Sequence, residues 1–175
     1  MARAEHPLVR LAAEAISAFL RRQQIIEPPE SLFFEVPAAL LPAGVFVCLK
    51  REGRLRGCIG TTEPIRKTMA AEVIEIAIGA ATRDPRFPPL EWAELDDLEI
   101  SVDALGPSER VSSLEALDPR RYGIVVRSGE RHSVLLPDLE GINSVAAQVE
   151  AAREKAGLGS DEVIELLRFE ATRYR

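Results

Sequence analysis

The chain has 175 residues, a formal net charge of −6, 46% hydrophobic and 29% charged residues, and two cysteines. This is the profile of a soluble globular protein rather than a disordered or fibrous one, and at this length no disulfide staple is required. It also argues against general binding to a phosphate backbone, which needs a basic stripe to release counterions, so no nucleic-acid partner is expected.

One domain, residues 1–175, is expected, since folding at this length buries roughly 70% of the surface the unfolded chain exposes. No stretch approaches the ~18 apolar residues of a membrane span. The N-terminal run MARAEHPLVRLAAEA carries Glu5 and Glu14 and offers no uninterrupted apolar segment for a signal peptide. The expectation is therefore a cytoplasmic protein whose two cysteines are reduced thiols. Lys50, Lys67 and Lys155 are the only lysines. Arginine suits fixed, planar contacts to carboxylate or phosphate, although genome composition explains the bias equally well.

In chain order, residues 7–23 set Leu8, Ala12, Ala15, Ile16, Phe19 and Leu20 on one helical face, with Pro7 in the first turn. IIEPPESL then reads as an extended, proline-fixed linker, and 31–43 is too mixed to assign. VFVCLK and RLRGCIG read as two strands joined by a tight turn at Glu52-Gly53. In a register whose paired numbers sum to 106, Val45, Val47, Leu49, Leu55 and Ile59 share one face. Phe46, Cys48, Lys50, Arg56 and Cys58 share the other, with Cys48 directly across from Cys58 and Arg56 beside both.

A helix is expected over 63–82, capped by Thr62, with its N-terminal amides a few residues from Cys58. DPRFPPL, 84–90, is an ordered extended loop because three prolines bar helix. LEISVDAL, 98–105, alternates as a strand, and 122–137 forms a second hairpin turning near Ser128-Gly129. A helix follows over SVAAQVEAAREKAG, then a short helix DEVIELL capped by Ser160, and RFEATRYR closes as a strand. The class is α+β, with a mainly antiparallel sheet and packed helices.

Among chemistry-bearing residues Cys58 stands out. A thiolate is the nucleophilic form, and a nearby guanidinium such as Arg56 would favour it. The competing reading makes Cys58 a small core residue and its flanking glycines a bulge. Cys48 shares the face of Cys58 and reads as filler in a buried strand, with a resolving partner for Cys58 as the minority reading. His6 reads as solvated and His132 as a surface strand residue. The histidines and cysteines lack CxxC or HExxH spacing, so neither a metal nor a cofactor is expected. Asp84 and Arg86 form either half of an anion site or an Asx-turn with a surface ion pair. Glu94, Asp96 and Asp97 read as a solvated connection.

LRGCIGT at 55–61 and DPRFPPL at 84–90, followed by EL at 94–95 and a strand beginning LEISV, resemble the AMMECR-type domain family. The resemblance extends through YGIVV, LLP at 135–137 and KAGL at 155–158, covering essentially the whole chain. It implies an α+β fold of two closely joined lobes and supplies no established reaction. Relatives are often encoded beside, or joined to, a Memo-like protein and a radical SAM protein, which implies a protein partner of that type. Leu55, Arg56, Gly57, Cys58, Ile59 and Gly60 match the first motif, and Asp84, Arg86, Phe87 and Pro88 the second. The chain departs from many relatives after LLP, where it has Asp138 and Glu140, and before KAGL, where it has no cysteine.

Taken together, Cys58 and Arg56 are the catalytic candidates, with Arg56, Gly57, Gly60, Thr61, Asp84 and Arg86 as ligand-binding candidates. They are expected to form a cysteine-centred pocket for a small anionic ligand or a peptide carboxylate. The alternative is a non-catalytic interaction module in which the two motifs hold the fold.

Overall fold

The computed structural model describes residues 6–175. Residues 1–5, including Glu5, lie outside the described part. Two compact units emerge, the first running up to Ala104 and regaining Thr172–Arg175, the second formed by Leu105–Ala171.

In the first unit α1, Pro7–Arg22, begins as its proline predicts and buries Leu8, Leu11, Ala12, Ala15 and Ile16 on one face. His6 is not solvated: it caps α1, its Nδ1 accepting the Leu8 N–H at 3.3 Å, and its ring stacks on Tyr174. Burial and the nearby Arg10 push its pKa down. The mixed stretch that follows the linker holds a short helix α2, Glu30–Glu35, and a 3₁₀ turn, Pro37–Leu40.

Strands β1, Val45–Arg51, and β2, Arg54–Gly60, form the expected hairpin. Glu52 and Gly53 both adopt positive φ, as a mirror-image two-residue turn requires. The register is the expected one from Phe46↔Gly60 to Leu49↔Gly57, and then it shifts, so that Lys50 faces Leu55 and Arg56 is the extra residue of a bulge. The shift turns Leu55 to the Lys50 side, where it is exposed rather than buried with Val45, Val47 and Leu49.

Helix α3 spans Met69–Thr82, starting six residues later than Glu63, because Thr68 rather than Thr62 caps it by accepting the Ala71 N–H. The unit's sheet has the order β2-β1-β3-β8, with β3 Leu98–Leu105 and β8 Ala171–Tyr174. Its inner face presents Val45, Val47, Leu49 and Val102 to α1 and α3 in one apolar core. Each such fully buried side chain stabilises by roughly 1.5–3 kcal/mol before entropy is counted.

The second unit has the order β4-β7-β5-β6: β4 Glu109–Arg110, β5 Gly123–Ser128, β6 Arg131–Leu135 and β7 Glu165–Phe169. Helix α4, Val145–Lys155, covers one face around Ile124, Val126 and Ala152. The segment read as a helix over 161–167 instead enters β7, where pairing on both sides overrides local propensity.

Gly57 lies where β2 touches α3. A Cβ there would come within 2.2 Å of the Ala80 carbonyl oxygen. Gly57→Ala is expected to lower unfolding free energy by about 1–3 kcal/mol, through forced separation of strand and helix, and urea titration of the two proteins checks it.

Candidate functional site

The outer face of the first sheet is set by strand alternation. It carries Phe46, Cys48 and Lys50 from β1, Cys58 and Gly60 from β2, and Glu99, Ser101 and Asp103 from β3. Three rows result: Gly60–Phe46–Asp103, Cys58–Cys48–Ser101 and Leu55–Lys50–Glu99.

Cys48 and Cys58 are joined by a disulfide, with their Cα atoms 4.1 Å apart. This corrects the expectation of two reduced thiols and of Cys48 as mere filler. The reason lies in the pairing. The N–H and carbonyl of Cys58 point away from β1, so the two cysteines form the close, non-hydrogen-bonded kind of antiparallel pair. Their side chains then meet on the same face.

Outward from Cys58, the DPRF loop supplies what a neighbouring strand would. The Cys58 N–H donates to Asp84 Oδ2 at 2.8 Å, and Arg86 Nη2 donates to the Cys58 carbonyl at 2.8 Å. Asp84 also accepts from the Arg86 backbone N–H at 3.1 Å, Nε at 3.0 Å and Nη2 at 2.7 Å. The Asx-turn reading is thus correct, and the pair does more than decorate a surface. The Arg86 guanidinium, helped by the Cys58 amide, holds the buried Asp84 carboxyl well below the usual carboxylate range against the opposing effect of burial.

The bulge aims Arg56 along the sheet edge at the segment that follows. Its Nε and Nη2 donate to the two carboxylate oxygens of Glu94, each at 2.8 Å, and Nη1 donates to the Pro88 carbonyl at 2.9 Å. The Arg56 and Glu94 side chains are 15% and 16% exposed. Glu94 is therefore no solvated linker, in contrast to the expectation from its place in the sequence. It also accepts the Glu91 N–H at 2.9 Å, and Arg56 is the main cause that brings its pKa down to about 2.

Thr61 donates to Glu72 Oε1 at 2.6 Å, and the backbone N–H groups of Ile65 and Arg66 donate to Glu72 Oε2. Glu72 is fully buried in the first turn of α3. The amides expected to receive an anion beside Cys58 are thus held by the chain's own carboxylate. Gly60 allows close packing, for the Phe46 ring lies over it and a Cβ would sit 2.2 Å from that ring.

The structure brings Arg56, Cys58, Asp84 and Arg86 together along the outer edge of β2 and sets Thr61 apart with Glu72. His132 is exposed on β6 in the second unit. A groove of about 550 Å³ in that unit, bordered by Arg110, Arg127 and Val163, contains none of these residues. Among the described residues no group of three or more His, Cys, Asp or Glu side chains is placed to hold a metal. No described helix is long and apolar enough to cross a membrane.

Sequence reasoning set Cys48 opposite Cys58 but held a partner role for it only as the minority reading, and it missed Glu94 as the Arg56 counter-ion and Glu72 and Asp103 as buried carboxyls. Strict alternation in LEISVDAL did carry a signal for Asp103, placing it on one face with Ser101.

A family profile described as AMMECR1 matches residues 9–174. The chain belongs to the AMMECR1 family. A Thermotoga maritima protein is 45% identical over 98% of both chains. A Clostridium acetobutylicum protein is 42% identical over 97% of this chain, which spans only 36% of that longer relative. The crystal structure of a Pyrococcus horikoshii protein superposes with a TM-score of 0.87 at 33% identity, covering 95% of this chain and 88% of that one. These matches agree with the family resemblance and the α+β class read from the two AMMECR1 signatures.

The Arg56–Glu94 pair predicts an acid signature. Because Glu94 is held down to about 2 from an ordinary 4.5, its contribution is complete above pH 4.5 and is lost as pH falls toward 2. Thermal melts across that range should show Glu94→Gln with a flatter acid limb than the parent. At neutral pH the variant should lose on the order of 1.5–3 kcal/mol, the worth of hydrogen bonds to charged groups.

Proposed function

We propose that the working centre of this AMMECR1-family chain is the Cys48–Cys58 pair, acting in thiol–disulfide exchange with a small anionic thiol or a cysteine-containing peptide. One observation carries the reading. The two cysteines are directly opposed and joined on the sheet face turned away from the helices, and both remain partly accessible.

The step balances. A substrate thiolate attacks Cys58 Sγ on the edge strand, forming a mixed disulfide and expelling Cys48 as thiolate. A second substrate thiolate then attacks the mixed disulfide, releasing the oxidised substrate and the Cys58 thiolate. Two substrate thiols lose two electrons, and the protein disulfide gains them.

In this reading Cys58 is the reacting sulfur, and Arg56, Gly57, Gly60, Thr61 and Asp84 hold the strand that bears it. Arg86 serves ligand charge. Its side chain is 54% exposed, Nη2 binds the Cys58 carbonyl, and Nη1 has no hydrogen-bond partner among the described residues. It therefore offers a half-exposed guanidinium at the Cys58 backbone that a substrate carboxylate can meet.

A second reading, a non-catalytic module that docks a protein of Memo-like or radical SAM type, is supported by a separate observation. Phe34, Leu41 and Ile65 are large apolar side chains exposed by 86%, 65% and 66% in the first unit. The greater length of the Clostridium relative accords with it.

Thiol titration separates the two. After mild oxidation with glutathione disulfide the protein should present no titratable thiol, and after reduction two. Cys48→Ser should trap a stable glutathione adduct at Cys58. Arg86→Met should slow reduction by glutathione several-fold while leaving reduction by neutral 2-mercaptoethanol unchanged. Two thiols that persist through oxidation, with no adduct in the Cys48→Ser protein, would leave the docking module as the function.

A further inference from the structure

The groove of the second unit lies where its sheet loses an edge strand. Strand β4 pairs with β7 at Glu109↔Arg168 and Arg110↔Leu167, and the last bond runs from the Val111 N–H to the Leu166 carbonyl at 2.9 Å. Beyond it the chain leaves the sheet for a 3₁₀ turn at Leu114–Ala116. On its other side β7 stays paired, with Leu166 opposite Val126 and Glu165 opposite Arg127 of β5.

Backbone groups alternate along a strand, so those of Leu166, and of Ile164 before it, point toward β4, and those of Glu165 toward β5. The Leu166 N–H and the Ile164 C=O have no hydrogen-bond partner among the described residues. Leu166 is 9% exposed, and an unpaired amide on so buried a residue is costly. The spacing of the two groups is specific. One residue of an added parallel strand, set opposite Glu165, would donate its N–H to the Ile164 C=O and accept the Leu166 N–H through its own C=O. Ile164 and Leu166 both border the groove.

The side chains add a charge requirement. Arg110, Glu165 and Arg127 share the sheet face turned away from α4, because Val126 and Leu166 face the α4 core. Arg110 Nη2 donates to Glu165 Oε1 at 2.6 Å, which occupies the one acid bordering the groove. Arg127 is exposed and has no hydrogen bond or ion pair among the described residues. The groove is therefore locally cationic in a chain whose net charge is −6. Val163 at its border is 89% exposed and offers an apolar contact.

We propose that this groove takes an extended acidic peptide segment of a partner protein, which adds alongside β7 as a short parallel strand and sets a carboxylate against Arg127. Main-chain bonds to Ile164 and Leu166 hold the segment, and the arginine selects its charge. The proposal uses no residue around the sulfur pair and stands or falls separately from thiol–disulfide exchange.

The test is an NMR titration of the isotopically labelled full chain with an acetylated, amidated pentapeptide of alternating aspartate and valine, with aspartate at its ends and centre. The Leu166 amide and Arg127 Nε signals should shift together and saturate. The same peptide with asparagine for aspartate should bind on the order of 10-fold more weakly. Arg127→Met should lower affinity for the aspartate peptide by a similar factor and leave the asparagine peptide unaffected. N-methylation of the central aspartate removes the N–H meant for Ile164 and should abolish the Leu166 shift.

A Leu166 amide that stays unmoved by the aspartate peptide overturns the proposal, and so does equal binding of the aspartate and asparagine peptides. These two arms need no variant to fold. An Arg127 signal that answers to inorganic phosphate but not to peptide marks a plain anion site and overturns it too. A Leu166 shift that follows protein concentration without peptide assigns the groove to a second copy of the chain instead.

Discussion

The hydrogen bond from the Cys58 amide to Asp84 is the contact on which the rest of the site depends. An edge strand leaves a row of backbone groups open to any passing strand. Here a carboxylate and a guanidinium from one short loop occupy the amide and the carbonyl of a single residue. Charge-assisted bonds from a buried acceptor hold that loop firmly. With Cys58's backbone groups committed outward, its side chain is committed to the narrow pairing with Cys48. Latch and sulfur pair are two results of the same strand orientation.

Arg56 extends this arrangement. The bulge that frees it from alternation gives it to Glu94 and the proline carbonyls, so the two signature motifs hold each other through side-chain and backbone bonds. Residues that chemistry alone marks as ligands here build a rigid mount. What the mount presents is a pair of sulfur atoms, one half-exposed guanidinium and the polar Glu99 and Ser101 of β3.

The strands of the hairpin and β3 are legible in the sequence because these are short apolar runs bounded by turn residues, with Val47, Leu49, Ile100 and Val102 set off by Cys48, Lys50, Ser101 and Asp103, and burial of one face leaves a single register. The Cys48–Cys58 opposition is legible for the same reason. The bulge at Arg56 is not, since no local residue type demands it and only the distant Glu94 and the proline carbonyls account for it. The start of α3 escapes local reading because Thr62 and Thr68 are equal as caps, and the choice falls to Glu72, which binds the Ile65 and Arg66 amides. DEVIELL resembles a helix locally, and the ladder between β4 and β5 draws its end into a strand. Composition alone suggests reduced cysteines, whereas the structure joins the two that the strand register sets opposite each other.

Strand β8 completes the first sheet with residues that come after the whole second unit. On the ribosome, the hairpin and β3 wait with one edge open until 171–174 emerge, and during that interval Asp103 lacks its Arg173 partner. Synthesis of β8 is thus the event that both covers the edge of β3 and gives the buried carboxyl its ion-pair partner, so a chain halted before it leaves an unfinished, adhesive edge.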